Sequence, residues 1–503
     1  MKAFTKQIKF AAIISYAAIF INIIITLLYT PWMVSKIGKS NYALYTLANT
    51  LISVFLMDFG IGSVVSRFIS KYRAEGQEEK ANQLLGLVAK IFLFIDLLIL
   101  IVLAVIFFFL QDIYKGLTEQ EIQTFKLVFL VVAGNSVISF PFTVLTGIFN
   151  AYERFIELKL CDLFQKLFSI VLIILSILLF CDVVILVACY AVSSIFTIAI
   201  KLIIIKRKVP QLKVDFKYRD RNLLKQIFAF SVWVSISMVM QRMYFNIAPS
   251  ILGIISNSTE IALFAPAAAI ESYFYTIATA ISGLFLPTIS RMIVEDKTQI
   301  QKLLINVGKF QIFVTCFMFV GLFCVGRDFM ILWMGEDFEK SAFCVIILIL
   351  PSVLTIPQQI ANTYAIAENH VKSIALADIV ATVFCVGLAF VLGSRLGALG
   401  SSIAISAAYF IRFGLYTGIY QKKLGLHMGQ FFKACYLRMI IPVAICIGVG
   451  IVLNYFLTEI NFLYFFIKVV TIIVVYLLSV CLIGYTKNDR KRAIDYIKRK
   501  KRD

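Results

Sequence analysis

The segment FAFSVWVSISMVMQRMYFNIAPSILGII, residues 228–255, decides the fold class of this chain. It is longer than the about 20 mainly apolar residues that one membrane crossing needs. Arg242 lies near its middle, and Asn246 follows one helical turn later. Placing an arginine at that depth costs about 3 kcal/mol on insertion scales, so such a charge usually has a function. We predict that Arg242 binds an anionic group of a ligand; the alternative is a pair with a carboxylate elsewhere in the bundle.

The composition is that of a protein built mainly inside a membrane. Of the 503 residues, 61% are hydrophobic, whereas soluble domains contain about 45–50% apolar residues. Apolar runs recur from Phe10 to Ile483, and no polar stretch between them is long enough for a soluble domain. We therefore predict an all-α, multi-pass membrane protein of about 14 transmembrane helices. The first run lacks a small-residue cleavage site, so it is predicted to be a retained helix.

Short connections separate the predicted spans, and the longest connection divides the chain. The predicted domains are an N-terminal six-helix lobe at 1–205, a basic cytoplasmic linker at 206–225, a C-terminal six-helix lobe at 226–420, and a terminal helix pair with a basic tail at 421–503. The predicted spans lie near 10–30, 42–66, 83–110, 125–149, 157–180, 183–205, 226–255, 261–290, 307–326, 342–366, 371–393, 397–420, 431–453 and 461–484.

The net charge of +20 is concentrated in the loops on one side of the predicted helices. The N-terminus, the 206–225 linker and the C-terminal tail hold much of this positive charge. By the positive-inside rule, the asymmetry predicts that both termini are cytoplasmic. Anionic lipid headgroups account for the excess charge, and its position argues against nucleic acid as a partner.

Cysteine and histidine give no support for a metal site or a catalytic centre. The ten cysteines lie almost entirely inside apolar spans without a CxxC pair, and His370 and His427 lie at span ends. Cysteines in such surroundings behave as small buried hydrophobes. We expect no cofactor, no metal and no enzymatic activity.

The chain repeats itself at a fixed spacing. This spacing predicts a duplication of six helices, and because six is even, both halves point the same way. Parallel repeats are related by an axis along the membrane normal, so a solute path is expected between the halves. Three residue pairs lie 216 positions apart: Asp112 and Asp328, Pro141 and Pro357, and Asp162 and Asp378.

Four of the predicted helices carry a polar stripe at helical spacing, as expected if they line that path. A wall of hydroxyls and amides suits a sugar, which both donates and accepts hydrogen bonds. The alternative is ordinary contact between membrane helices, which Ser and Thr also stabilise. The stripes comprise Ser15, Asn22, Thr26 and Tyr29; Thr46, Asn49, Thr50 and Ser53; Ser235, Arg242 and Asn246; and Glu271, Tyr275, Thr279 and Ser282.

Several carboxylates inside the predicted spans are candidates for coupling transport to an ion. Glu271 lies mid-span, where it can pair with Arg242 in an empty site or take a proton because of desolvation. Asp58 and Asp378 are further coupling candidates. Asp96, also mid-span, is a possible partner of an intramembrane cation.

Other intramembrane charges have simpler accounts. Asp162 and Lys166 have the spacing of a local pair one helical turn apart. Arg67 and Arg291 end predicted spans on the cytoplasmic side. They either snorkel to the interface or receive a pyrophosphate, whose oxygens match the arginine fork.

Two further stretches of the sequence, and the arginine of span seven, resemble the corresponding sequences of a known protein family. They are GKSNYALYTLANTLISVFLMDFGIGSVVSRFIS at 38–70 and MILWMGEDFEKSAFCVIILILPSVLTIP at 330–357. With the repeats, they resemble the polysaccharide transporter branch, the Wzx-type O-antigen flippases, of the multidrug/oligosaccharidyl-lipid/polysaccharide exporter superfamily. Span seven of that branch often carries Asp-Arg; this chain has Gln241-Arg242, which keeps the arginine without its acidic neighbour.

The resemblance implies a V-shaped fold of two six-helix lobes plus a terminal helix pair. It implies a flippase that moves undecaprenyl-pyrophosphate-linked oligosaccharide by alternating access across the bacterial cytoplasmic (inner) membrane, for O-antigen, capsule or exopolysaccharide synthesis. A polysaccharide polymerase and a chain-length regulator are the protein partners it implies. Proton or sodium exchange is the energy source it suggests.

Three other functions remain open at the sequence level. A multidrug exporter of the same fold is expected to favour carboxylates for cationic drugs, whereas span seven here is cationic. A peptidoglycan-precursor flippase is not separated from the first hypothesis by the sequence. A membrane polysaccharide polymerase needs catalytic groups on large outer loops, and the outer loops here are short.

Overall fold

The computed structural model describes residues 2–57, 59–279, 285, 289, 292–293, 295–368 and 370–484. Two of the predicted site residues, Asp58 and Arg291, lie outside the described residues. Throughout the described part the regular structure is helical. Helices satisfy their backbone hydrogen bonds internally, which a chain in a lipid environment must do.

The helices fall into long apolar rods and short connecting pieces. The α-helices, numbered here in chain order, are α1 (Lys2–Phe55), α2 (Ile61–Ala74), α3 (Glu78–Phe108), α4 (Glu119–Ser139), α5 (Leu145–Ala151), α6 (Phe155–Leu179), α7 (Val183–Lys208), α8 (Arg221–Ile255), α9 (Ser258–Thr279), α10 (Thr298–Met334), α11 (Glu339–Thr355), α12 (Gln359–Ala367), α13 (Val371–Leu424), α14 (Met428–Cys435), α15 (Ile440–Phe456) and α16 (Phe462–Ser479). Shorter pieces are a helical turn at Leu110–Ile113, 3-10 helices at Phe140–Val144, Glu336–Phe338 and Ile356–Gln358, and a π-helix at Val480–Gly484.

Polar residues at the starts of two long helices fix where those helices begin. Thr118 and Glu121 form a reciprocal capping box at α4, with Oγ1 of Thr118 accepting from the Glu121 amide. The Asp182 carboxylate accepts from the Val184 amide at 2.6 Å and so caps α7. These side chains satisfy backbone amides that have no partner within the helix.

Ten helices of the described part are long and apolar enough to cross a membrane. The number is eleven if the bent pair α14 and α15 forms a single span. The predicted all-α, multi-pass membrane fold is therefore confirmed. The count of 14 spans stays a prediction.

Two of the long helices contain a glycine at which the helical path changes direction. Gly38 in α1 has φ 81°, and Gly397 in α13 has φ 57°, values that favour glycine. In α13, Arg412 Nε lies 2.8 Å from Asp378 Oδ1, although a straight helix would hold residues 34 positions apart at about 50 Å. The chain of α13 therefore folds back at its kink and holds two helical segments, as the predicted spans at 371–393 and 397–420 require.

The chain divides into two compact units. The N-terminal unit comprises Met1–Ala265 with Val386–Gly397, and the C-terminal unit comprises Pro266–Cys385 with Ala398–Asp503. The predicted domain boundaries at 205, 225 and 420 differ from these divisions and stay predictions.

The second predicted span, 42–66, is interrupted by a break between two helices. Helix α1 ends at Phe55 and α2 begins at Ile61. Between them, Phe59 and Gly60 have positive φ values of 49° and 72°. The apolar sequence alone concealed the break because Phe59 takes a conformation that residues other than glycine rarely adopt.

The prolines of the sequence repeat, Pro141 and Pro357, occupy matching local structures. Each stands near the start of a 3-10 helix that interrupts a long apolar segment, Phe140–Val144 or Ile356–Gln358. A proline lacks the amide proton and clashes with the preceding turn, so the tighter 3-10 geometry accommodates it.

The aspartates of the repeat, Asp162 and Asp378, both form ion pairs with a cation that lies 34–39 positions further on. Asp162 Oδ1 lies 3.0 Å from Lys201 Nζ on α7, and its Oδ2 lies 3.9 Å from Lys159. Asp378 Oδ1 lies 2.8 Å from Arg412 Nε. The predicted partner of Asp162 was therefore wrong, since the sequence suggested Lys166.

A buried ion pair holds α16 against α10 within the C-terminal unit. Lys468 Nζ of α16 lies 2.6 Å from Asp328 Oδ2 of α10, and both side chains are at most 9% exposed. Tyr476 on the same helix donates to the Phe313 carbonyl at 2.7 Å. From α15, Asn454 donates to a carbonyl of α10 at 2.9 Å. The terminal helices are thus held on α10 by polar contacts as well as by packing.

The substitution Lys468→Met is expected to lower stability by about 3 kcal/mol or more, because it leaves the Asp328 carboxylate buried without a partner. Thermal unfolding of the purified protein in detergent measures the loss. The matched control is Arg327→Gln, which removes the neighbouring pair of Arg327 with Glu339; both of these side chains are about half exposed, and such pairs contribute about 0–1 kcal/mol.

Adding Asp328→Leu to Lys468→Met should restore much of the lost stability, since no charge then remains buried. Equal effects of Lys468→Met and Arg327→Gln would contradict a role for the buried pair in holding the terminal helix.

Candidate functional site

Helix α8 has two opposite faces. Tyr244, Ala248 and Ile251 point into the core and are at most 3% exposed. Arg242 lies two residues before Tyr244, about 200° away around the helix. By the same periodicity Asn246 lies on the Arg242 side. The predicted polar stripe therefore runs along the face of α8 that the core leaves uncovered.

Arg242 is exposed on that face. The Asn246 amide Nδ2 donates to the Arg242 carbonyl at 3.1 Å, which fixes the amide one turn beyond the guanidinium. Within the described part of the chain, no carboxylate forms an ion pair with Arg242. The guanidinium therefore presents its donors away from the core of the N-terminal unit.

Ser235, at the start of the stripe, connects α8 to the break between α1 and α2. Its hydroxyl donates to the Phe59 carbonyl. A helix break leaves backbone carbonyls without helical partners, and this bond satisfies one of them. Asp58, the predicted coupling residue beside this carbonyl in the sequence, lies outside the described residues.

The polar residues of α1 bond to their own helix. Thr26 Oγ1 donates to the Asn22 carbonyl at 2.7 Å, and Asn49 Nδ2 donates to the Tyr45 carbonyl at 3.0 Å. Such bonds to the preceding turn satisfy the donors and leave oxygen atoms that can still accept. Helix α1 packs against α8, and no described hydrogen bond joins Asn22, Thr26 or Asn49 to Arg242.

Helix α2 carries the predicted arginine of the cytoplasmic side. Arg67 is exposed on this helix. Six residues later, Arg73 has a structural role: it donates to the Ala151 carbonyl at 2.5 Å and stacks 4.2 Å above the Tyr152 ring. The predicted counterpart of Arg67, Arg291, lies outside the described residues.

In the C-terminal unit, Glu271 is buried on α9 with 6% exposure. Ser352 of α11 contributes a neighbouring hydroxyl, but neither Glu271 Oε1 nor Ser352 Oγ has a hydrogen-bond partner in the described part. One turn along α9, the Tyr275 hydroxyl accepts from Gln359 at 3.3 Å. No Lys or Arg in the described residues forms an ion pair with Glu271, so its carboxyl group is not neutralised by a cation.

Asp378 has very different surroundings from Glu271. Its Oδ1 accepts from Arg412 Nε and from the Tyr416 hydroxyl, each at 2.8 Å. Arg412 also donates to Tyr416 at 2.9 Å, which closes a triangle of hydrogen bonds. This predicted coupling residue is therefore held in a paired, rigid arrangement.

Sequence analysis missed three cations that organise the fold: Lys201, Arg412 and Lys468. Each lies inside an apolar helix, and each bonds a carboxylate. The signal was present, because an intramembrane cation is expected to have a partner. The partners lie 34–140 positions away in the sequence, beyond the reach of local spacing rules.

The two units thus offer different chemistry. The N-terminal unit presents a guanidinium with donors arranged to bind a carboxylate or phosphate through two hydrogen bonds. The C-terminal unit holds a buried carboxyl group that can bind a proton or a small cation. In the described residues, no group of three His, Cys, Asp or Glu side chains could hold a metal ion.

The structure resembles known transporters of lipids and drugs. It matches "Lipid II flippase MurJ" in an inward closed conformation with a TM-score of 0.73 and 15% identity, over 96% of this chain and 98% of that chain. It matches an inward-facing multidrug resistance MATE family transporter of the MOP superfamily with a TM-score of 0.68 and 16% identity, over 82% and 98%. At these identities the likeness concerns the fold.

A mutant of the Vibrio cholerae MATE transporter VcmN also matches, with a TM-score of 0.58 and 15% identity, over 84% of this chain and 98% of that chain. No curated protein matches the chain in a sequence search. The model of the family described as "Polysaccharide biosynthesis protein" matches residues 11–294, more than half of the chain. The chain therefore belongs to this polysaccharide biosynthesis protein family, on the transporter fold that its helices share with lipid flippases and MATE exporters.

Proposed function

We propose that this protein is a flippase that carries undecaprenyl-pyrophosphate-linked oligosaccharide from the inner to the outer leaflet of the bacterial cytoplasmic membrane. The family match and the likeness to a lipid flippase support a lipid-linked substrate. The observation that carries the proposal is that Arg242 is exposed on the face of a long apolar helix, α8, that does not pack against the core.

The pyrophosphate is the group that Arg242 binds. An exposed guanidinium without a carboxylate partner keeps its donors available, and its planar fork fits phosphate oxygens. Asn246, fixed one turn away by its bond to the Arg242 carbonyl, has a second amide proton for the same anion. The polyprenyl tail stays in the lipid, so the protein need only shield the polar part.

The sugar passes along the polar residues of α1. The donors of Thr26 and Asn49 are already bonded within the helix, so their oxygens, with Asn22, accept hydrogen bonds from sugar hydroxyls. Arg67, exposed on α2, and Arg291 receive the pyrophosphate at the cytoplasmic side. Net transport then requires that the inward-open and outward-open states differ in affinity for the substrate.

The energy source is an ion that binds in the C-terminal unit at Glu271. A buried carboxyl group without a cationic partner is stable as the neutral acid or as the ligand of a cation, and the exchange of these states changes the local charge. Asp378 already forms an ion pair with Arg412, so its role is structural in the first place and it is less available to bind an ion. Asp58 remains the third coupling candidate.

The family resemblance and the distribution of basic residues support the proposed cellular setting. The termini are cytoplasmic, the chain forms two six-helix lobes, and the product feeds O-antigen, capsule or exopolysaccharide assembly. A polysaccharide polymerase and a chain-length regulator are the partners. The protein performs no covalent chemistry.

The main alternative is a multidrug or cation exporter of the same fold, which the likeness to MATE transporters favours. Cationic drugs require uncompensated negative charge, which the buried Glu271 carboxyl of the C-terminal unit could supply. In the N-terminal unit the exposed charge on α8 is positive, which favours an anionic substrate.

Arg242→Gln is expected to lower flipping at least about tenfold, because a hydrogen bond to a charged group contributes about 1.5–3 kcal/mol. Arg242→Lys should retain part of the activity, since it keeps the charge and loses the fork. The measurement is cleavage of the sugar by an external glycosidase, with protein reconstituted in liposomes that contain a polyprenyl-pyrophosphate oligosaccharide.

The matched control is Arg395→Gln, which removes an exposed arginine from another long helix. It should flip like the unmodified protein. Full activity of Arg242→Gln would remove this residue from the mechanism, and efflux of cationic dyes without any sugar exposure would favour the multidrug exporter.

Glu271→Gln is expected to abolish the dependence of flipping on a proton or sodium gradient while leaving thermal stability nearly unchanged, because the amide fills the same space and cannot ionise. Asp378→Asn should instead lower stability by about 3 kcal/mol, since it leaves Arg412 without its carboxylate. Flipping rates with and without each gradient, and unfolding temperatures in detergent, distinguish the two roles. Loss of gradient dependence in a stable Asp378→Asn variant would transfer the coupling role to Asp378.

A further inference from the structure

The basic linker between α7 and α8 is not a loose tether. Residues 209–220, here called the strap, lie against the first turns of α3. Asn82 holds the strap at three points: its Nδ2 donates to the Gln211 carbonyl at 3.3 Å, its Oδ1 accepts from the Lys213 amide at 2.8 Å, and its carbonyl accepts from the Asp215 amide at 3.3 Å. One asparagine thus pairs with alternate residues of an extended chain.

The strap then follows α3 toward its apolar part. At Gly86 the Asp215 backbone passes so close that a Cβ on this glycine would collide with the Asp215 carbonyl. One turn further on, Lys90 Nζ donates to the Tyr218 carbonyl at 2.9 Å. From Asn82 to Lys90 the strap descends about 12 Å along the helix axis.

This descent carries apolar side chains to the edge of the membrane-spanning region. Helix α3 is a candidate span, and Leu93 and Phe94, just beyond Lys90, are exposed as lipid-facing residues are. On the strap, Val214 is 48% exposed and Phe216 is 54% exposed. If α3 crosses the bilayer as its length and composition allow, Phe216 lies near the lipid interface.

Cations surround these apolar side chains. From Lys206 to Arg221 seven Lys and Arg residues are present, all exposed, against two acidic residues. The two acidic residues, Asp215 and Asp220, accept hydrogen bonds inside the segment, from the Lys217 amide and from the Tyr218 hydroxyl. On α3, the helix that the strap contacts, the acidic residues nearest to the strap are Glu78 and Glu79. They lie at the start of α3, before Asn82 and away from the apolar part of the helix.

We propose that the strap is a binding site for anionic phospholipid in the inner leaflet. Phe216 and Val214 insert among the lipid chains next to the headgroups, while Lys213, Lys217 and Arg219 contact the anionic headgroups. A solvated linker needs neither exposed apolar side chains nor a backbone clamp. The clamp at Asn82, Gly86 and Lys90 keeps the apolar and basic residues at a fixed depth, so the site is formed before lipid arrives.

Apolar side chains that insert among lipids, combined with positive charge, give preferential binding to anionic membranes. Apolar area supplies binding to any bilayer, and each basic residue near the surface adds about fivefold in affinity when the lipid is anionic. The strap should therefore contact all lipids and prefer anionic ones. A site for free phosphate would use the cations alone and would not need Phe216.

The test is depth-dependent fluorescence quenching. Phe216→Trp is made in a background in which Trp32, Trp233 and Trp333 are replaced by Phe, and the full chain is reconstituted in vesicles of phosphatidylcholine and phosphatidylglycerol at 3:1. In one preparation the phosphatidylglycerol is brominated near the headgroup end of its chains, and in the other the same mole fraction of phosphatidylcholine is brominated. Quenching by phosphatidylglycerol should be at least about twofold stronger.

Two variants in the same background connect the quenching to the proposed contacts. Replacing Lys213, Lys217 and Arg219 by Gln should abolish the preference for phosphatidylglycerol while some quenching by both lipids remains. Gly86→Ala should weaken quenching by both lipids, because the added methyl group displaces the strap from α3. The matched control is Gly134→Ala, where no atom lies near the added Cβ and quenching should not change.

Each remaining result would overturn the proposal. Absence of quenching would place the strap in water, and equal quenching by the two lipids, or an unchanged preference after the triple replacement, would remove the anionic site. Inorganic phosphate that reduces the preference more than potassium chloride at equal ionic strength would assign the cations to free phosphate. All of these readouts measure lipid contact, so they are independent of whether the protein flips an oligosaccharide.

Discussion

The cost of burying a charge in an apolar helical bundle organises this structure. Lys468 and Asp328 meet at 2.6 Å with almost no exposure, and neither could be tolerated there alone. The pair therefore fixes which face of α16 meets α10, and the hydrogen bonds from Tyr476 and Asn454 to carbonyls of α10 complete the attachment. In a lipid environment, where apolar packing does not distinguish protein from lipid, polar contacts of this kind specify helix neighbours.

The same constraint applies to the aspartates that lie 216 positions apart in the sequence. Asp162 and Asp378 each pair with a cation 34–39 positions further on, but Asp162 is half-exposed and Asp378 is nearly inaccessible. The other repeated aspartate differs more: Asp112 is exposed, whereas its counterpart Asp328 binds Lys468. In the C-terminal unit this aspartate therefore attaches α16 to α10.

The fold class could be predicted because hydrophobicity over about 20 residues is a strong signal. The spacing of Pro141 and Pro357 indicated the repeat, and the structure adds that both prolines lie in 3-10 helices. The break at Phe59 was not predicted, since no glycine or proline in the residues just before it indicates a positive φ at that position. Sequence patterns indicated Glu271 and Asp378 together as coupling residues, and only the structure separates them. Asp378 has Arg412 and Tyr416 as partners, and these lie on the far side of a kink at Gly397 that local patterns do not reveal.

Charged groups with and without an ion-pair partner therefore play different roles in this helical bundle. Lys201, Arg412 and Lys468 satisfy carboxylates, so their charges are accounted for by the fold. Arg242 is exposed without a carboxylate among the described residues, and the Glu271 carboxyl is buried without a cation. Folding alone gives no reason to retain either arrangement, since a neutral side chain would cost less in each place. The two uncompensated groups also differ in exposure: the Arg242 guanidinium is exposed in the N-terminal unit, and the Glu271 carboxyl group is buried in the C-terminal unit.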